Sequence, residues 1–131
     1  MSDAIRSFED LKCWQAAREF RRFIANSVIP ALPKEEKYRL GDQMLRSARS
    51  ITANIAEGYG RFHFLDNAKF CSIARGSCYE TLDHIISARD EHLITEELLV
   101  EGRARFETTK ALLNGYMTYL KRTAKQDGLA P

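Results

Sequence analysis

The feature that most constrains this chain is a spacing. In four successive stretches apolar residues return every three or four positions, and no stretch alternates convincingly at every second one. A step near 3.6 gathers side chains on one face of an α-helix, whereas a half-buried strand needs a period of two. The chain is therefore expected to be all-α, without a sheet.

The first stretch runs from about Asp10 to Val28, with Ser7 and Asp10 as capping oxygens and Cys13, Ala17, Phe20, Ile24 and Val28 as its stripe. Pro30 and Pro33 stop it. The second begins near Lys34-Glu35-Glu36 and carries Leu40, Met44, Ala48, Ile51 and Ile55; Gly58 and Gly60 are expected to cap it in the left-handed conformation. The third, about Leu65 to Arg89, has a wide arc of Phe70, Cys71, Ile73, Ala74, Cys78, Leu82, Ile85 and Ala88. One core-facing stripe needs only about 100°. The excess predicts a second buried surface, either a wide contact within the chain or a subunit interface. The fourth follows Thr95-Glu96-Glu97, with Leu98, Gly102, Phe106, Thr109, Leu113, Tyr116 and Leu120 as its seam.

At 131 residues with only three prolines, the chain suits one core. Short breaks between long helices predict an antiparallel up-down four-helix bundle over residues 8–123, with a patternless tail at 124–131 expected to fray. No apolar run approaches the ~18 residues of a membrane span, and residues 1–6 lack a signal core. Cys13, Cys71 and Cys78 have no metal-ligand spacing. On one helix Cys71 and Cys78 would stand about 10.5 Å apart along the axis, too far for a disulfide. A soluble cytoplasmic protein with reduced, buried thiols is expected.

Catalytic signals are weak. Glu80 and His84 are one turn apart, but a di-iron bundle needs two Glu-x-x-His motifs and further glutamates. Ser50, Ser77 and Cys78 lie mid-helix with no histidine at a helical offset. The glycines of Glu57-Gly58-Tyr59-Gly60-Arg61 follow a helix and lack the Gly-Lys-Ser/Thr of a phosphate-binding loop. The expectation is a non-enzymatic protein with no catalytic residue, metal site or cofactor.

Two features admit a binding reading beside a structural one, which is a polar network between helices or subunits for the first and a solvated helix face with interspersed Glu19, Glu35 and Asp42 for the second. Gln43, Arg46, Ser50 and Glu57 form a polar stripe beside the apolar face of the second helix, with Asn54 between stripe and core, where a short amide needs a specific partner. Arg18, Arg21 and Arg22 on the first helix, Arg46 and Arg49 on the second and Arg61 after it are spaced to contact phosphates. Net charge is only +2, with residues 1–65 carrying 11 Lys/Arg against 8 Asp/Glu. A symmetric oligomer would repeat this modest patch around an axis and concentrate its field.

The segments Ser50-Ile51-Thr52-Ala53-Asn54-Ile55-Ala56-Glu57-Gly58-Tyr59-Gly60-Arg61 and Ile73-Ala74-Arg75-Gly76-Ser77-Cys78-Tyr79-Glu80 resemble a known family, as do Phe8, Leu11, Trp14 and the stretch Leu32 to Tyr38. The family is that of the four-helix bundle proteins encoded in intervening sequences of bacterial 23S ribosomal RNA genes. Accessory variability determinant proteins of diversity-generating retroelements look like relatives. The resemblance covers about residues 8–122 and implies a non-enzymatic homopentamer around a central channel. It also implies RNA or DNA as a partner or, alternatively, a scaffold or accessory role toward another protein such as a reverse transcriptase. It marks Ser50, Asn54, Glu57, Gly58, Gly60, Arg61, Gly76, Ser77 and Glu80 as signature residues. Gly76 and Ser77 would permit close helix contact, and Asn54, Glu57 and Glu80 would make polar contacts between helices. The chain departs from the family pattern at Thr52, where proline is usual, at Leu45, where an arginine commonly pairs with Arg46, and at Arg49, usually aliphatic.

Overall fold

In the computed structural model, which describes residues 4–126, the chain is helical throughout and no strand occurs among the described residues. Ser7 caps a short 3₁₀ turn at Phe8–Asp10, accepting from the Glu9 amide at 2.9 Å, while the Asp10 carboxylate accepts the Arg6 and Ser7 amides. Both expected capping oxygens are used, but one turn before the helix proper. Helix α1 spans Lys12–Phe23 and passes into a π-helical segment, Ile24–Val28, and a last turn, Ile29–Ala31. Pro30 has no amide to give to residue 26, and its ring crowds that carbonyl. The widened turn just upstream accommodates it, with the Ile29 amide reaching back to the Ile24 carbonyl. Ile24 and Val28 both stay fully buried through the wide turn.

A helical turn at Lys34–Lys37 stands apart from helix α2, Leu40–Gly60, because the chain breaks at Tyr38 and Arg39. Helix α3 spans Phe64–Asp90 and α4 Glu96–Gln126. Thr95 caps α4 through its hydroxyl, which accepts the Leu98 amide at 3.2 Å. The expected glycine cap of α2 is not formed. Gly58 and Gly60 lie within the helix, and the left-handed residue of the α2–α3 turn is Phe62, at φ 58°. Helix α4 is continuous to Gln126 with Ala124 buried; the rest of the expected tail, 127–131, lies outside the described residues.

Contacts fix the directions. Ser47 meets Thr81, Ser50 meets Ser77, and Gly58 meets Asn67, so α2 and α3 run antiparallel. Arg89 pairs with Glu96, Tyr79 packs on Phe106, and Asn67 reaches Tyr116, which sets α3 against α4 in the same way. Arg21 meets Thr52 while Leu32 meets Gly41, and Phe23 meets Gly102 while Cys13 shares a groove with Tyr116. Each helix thus opposes its two neighbours in an up-down bundle. Phe20, Ile24, Met44, Ile51, Ile55, Ile85, Leu113 and Leu120 fill the core, each fully or almost fully buried. Burial of one such side chain is worth roughly 1.5–3 kcal/mol.

The wide arc of α3 is consumed mostly inside the chain. Cys71, Ala74, Cys78, Leu82, Ile85 and Ala88 are buried and Phe70 half-buried, because α3 packs on α2 and α4 at once. Ile73 alone of that arc is open, at 53% exposure. None of the described helices is long and apolar enough to cross a membrane.

Candidate nucleic-acid interface

The α1–α2 seam brings most of the singled-out arginines to one side of the bundle. Thr52 is buried, and its hydroxyl donates to the Arg49 carbonyl at 3.2 Å, the usual bond of a mid-helix threonine to its preceding turn. That same oxygen accepts the Arg21 guanidinium at 2.8 Å. A proline in this position has no hydroxyl to offer. Thr52 therefore ties Arg21 across the seam, one turn from Arg49. Arg18 lies one turn earlier on α1, its guanidinium 5.7 Å from the centre of the Trp14 ring. Arg22 is exposed and only loosely held by Glu19 at 3.6 Å.

Arg49 stands on the α1 side of α2, and Arg46 on its outward face. Both are exposed, and neither side chain has a hydrogen-bond or ion-pair partner among the described residues. Arg61 is not part of this group. It sits at the end of the bundle, paired with Glu57 at 3.2 Å and lying over the Phe70 ring.

Of the signature residues, Ser50, Asn54, Gly58 and Ser77 fall along the α2–α3 seam. Asn54 donates to the Ser50 carbonyl at 2.8 Å and to the Ser50 hydroxyl at 2.9 Å, and that hydroxyl meets the Ser77 hydroxyl at 2.9 Å. Deeper, the Ser47 and Thr81 hydroxyls lie 2.7 Å apart, with Thr81 donating to the Ser77 carbonyl. Small hydroxyl residues let two helix backbones approach while leaving no buried polar side chain unpaired among the described residues. Gly58 serves the same approach: a Cβ there would lie 2.8 Å from both Asn67 Oδ1 and Phe70 Cβ.

Four expected roles are corrected. Gly76 faces open space and makes no close contact within the chain. Asn54, Glu57 and Glu80 bond along their own helices, to Ser50, Arg61 and His84, instead of between helices. The short one-turn spacing makes these partners nearer than any on a neighbouring helix.

Reactive groups do not converge. Burial pushes the Cys13, Cys71 and Cys78 thiols up to about 12, which leaves them protonated and poor nucleophiles at neutral pH. Ser50 and Ser77 bond each other, and Ser50 also accepts from Asn54, in place of a base. Glu80 and His84 are 3.2 Å apart, and no set of three or more His, Cys, Asp or Glu able to hold a metal occurs among the described residues.

Helical periodicity does not single out the rings at the α2–α3 end. Phe62 is 84% exposed and Tyr119 54% exposed, in a turn and on the outer edge of α4. The run Tyr59-Gly60-Arg61-Phe62-His63-Phe64, aromatic and basic by turns, is the signal that marks Phe62, and nothing in the local sequence marks Tyr119.

The family model described as 23S rRNA-intervening sequence protein matches residues 9–115, from the first cap to the middle of α4. No curated protein matches the chain.

Proposed function

This chain belongs to the 23S rRNA-intervening sequence protein family, and on that premise we propose that it is a non-enzymatic, self-associating RNA-binding module of the cytoplasm. The observation that carries the reading is the pair Arg46 and Arg49. They are exposed and unpaired among the described residues, on the side of the bundle where the Arg21–Thr52 bond ties α1 to α2. Guanidinium groups so placed meet phosphate oxygens bidentately and without first breaking a strong ion pair. The family's description directs the choice of ligand toward ribosomal RNA.

Anisotropy titrations with a ribosomal RNA stem-loop test it. Engagement of about four phosphates predicts a roughly hundredfold loss of affinity between 50 and 200 mM salt. Charge reversal at Arg18, Arg22 and Arg49 flattens that dependence. Binding that ignores salt, or no binding, defeats the proposal.

Self-association is the second half of the reading. Ile73 is open beside Gly76, whose Cα faces free space, on the outer edge of the α2–α3 seam. A sister subunit on this edge, repeated around a ring as a homopentamer, would multiply the arginine face. Light scattering reads this directly, since a mass of 15.0 kDa at micromolar concentration is that of one chain. The exposure of Ile73 and Tyr79 favours one other reading, a scaffold or accessory subunit for another protein such as a reverse transcriptase. Recovery of a defined protein after nuclease treatment, with no RNA affinity in the purified chain, supports that alternative.

A further inference from the structure

The two ends of the bundle differ in chemistry. At the α3–α4 turn stand Asp90, Glu91, Glu96 and Glu97. At the other end, α4 carries Lys121, Arg122 and Lys125 and no acidic residue from 108 to 126. Lys121, Arg122 and Lys125 are exposed. Of the nearby carboxylates, Glu57 is engaged with Arg61, Asp10 with two backbone amides and Glu9 with the Ser7 hydroxyl at 3.3 Å, and Asp66 is half-buried.

Aromatic rings crowd this same end. Phe62 and Tyr119 line one groove of ≈ 310 Å³ with Tyr59, Phe64 and Ile5. Tyr116 and Tyr119 are near-parallel, 15° between planes with centres 6.2 Å apart, and Asn67 fixes Tyr116 by donating to its hydroxyl at 2.9 Å. Phe62 holds its ring in solvent from a left-handed backbone, a conformation bulky side chains rarely adopt. Cations in the last turn of α4 also suit the helix dipole. The dipole gives no reason for two large rings to stand open to water.

We infer that this end is a stacking platform for unpaired bases of the bound RNA, with Phe62 and Tyr119 as the ring faces and Arg122, Lys121 and Lys125 meeting the flanking phosphates. The inference rests on the RNA-binding reading above and adds to it which part of the RNA is held. Every base has a π-face, so aromatic side chains between cations bind single strands without a fixed sequence. Duplex segments lie on the α1–α2 arginines, and a strand leaving the duplex crosses the aromatic end. Unpaired RNA is where splayed bases can meet rings.

The test uses the full chain and two RNAs, a blunt stem and the same stem with a single-stranded tail containing 2-aminopurine. The wild type binds the tailed RNA about tenfold more tightly and changes the 2-aminopurine fluorescence on binding. Phe62→Asn keeps a residue that tolerates the left-handed turn, and Tyr119→Ala removes an exposed ring; circular dichroism melts check that both fold. Each variant loses most of the tail preference and the fluorescence change, and binds the blunt stem as before. Equal affinity of the wild type for both RNAs overturns the platform and leaves the arginine face standing. No affinity for either RNA overturns both. An unchanged tail preference with a smaller assembled mass in the variants overturns the platform and assigns the rings to a second copy of the chain.

Discussion

Replacing Gly58 with alanine tests how closely α2 and α3 must approach. A Cβ at this position falls 2.8 Å from Phe70 Cβ, 2.8 Å from Asn67 Oδ1 and 3.1 Å from the Asn67 carbonyl. Phe70 Cβ is bound to the backbone and cannot rotate away. Asn67 is held by Tyr116 through its amide, so it is not free to swing aside either. The two helices must therefore part, and overpacking of this kind costs about 1–3 kcal/mol. Alanine recovers at most about 1 kcal/mol of helix propensity, less here, two residues from the helix end. The balance is a destabilisation of about 1–2 kcal/mol. With a urea slope of about 1–3 kcal/mol per molar, the midpoint falls by roughly 0.3–2 M. Gly76→Ala is the internal control, since its Cβ meets nothing within 4 Å in a helix interior. It gains up to about 1 kcal/mol of propensity and raises the midpoint. Far-UV circular dichroism in urea measures both. A Gly58→Ala midpoint at or above the wild type refutes the close-approach argument. Gly76→Ala that unfolds later but loses assembled mass places a sister subunit against that glycine.

Other outcomes follow from the seams and the buried thiols. Ser47→Ala and Thr81→Val each cost about 1 kcal/mol, and a double-mutant cycle returns a coupling of about 0.5–1 kcal/mol, because the two hydroxyls share one bond across the seam. A coupling of zero contradicts that bond. The thiols ionise in the unfolded chain near 9.0 and in the native chain near 12, so the folded state prefers them protonated. Their contribution is complete below pH 9 and is lost as the pH climbs toward 12, at up to about 1.4 kcal/mol per unit for each thiol. Urea midpoints taken from pH 7 to 11 should hold and then fall. Native protein mixed with a thiol reagent at pH 8 reacts slowly, and rapidly once urea opens the core.

Much of the bundle was legible because its core residues obey one rule. Cys13, Ala17, Phe20, Ile24 and Val28 recur at helical spacing and are all buried. What was hidden depends on partners distant in sequence. The Arg21–Thr52 bond joins residues 31 apart, and nothing in either local sequence marks it. The π segment at Ile24–Val28 arises because Pro30 must be accommodated while Ile24 and Val28 stay inside. Gly58 was read as a turn former, but its lack of a side chain is used for helix contact while Phe62 takes the left-handed turn. The width of the α3 arc was visible; which neighbour it served was not, because burial against α2, against α4 or against another subunit imposes the same apolar pattern. The arginines could be named individually, yet their grouping into five on one side and Arg61 apart required the seam.

Ultraviolet crosslinking of the wild-type chain to a tailed ribosomal RNA stem-loop, with the modified peptides located by mass spectrometry, tests the central claim most directly. The account predicts crosslinks on peptides from the outer sides of α1 and α2 around Arg18, Arg22, Arg46 and Arg49, and on Phe62 and Tyr119. Crosslinks concentrated at the acidic α3–α4 turn, or absent at saturating RNA and low salt, would contradict it.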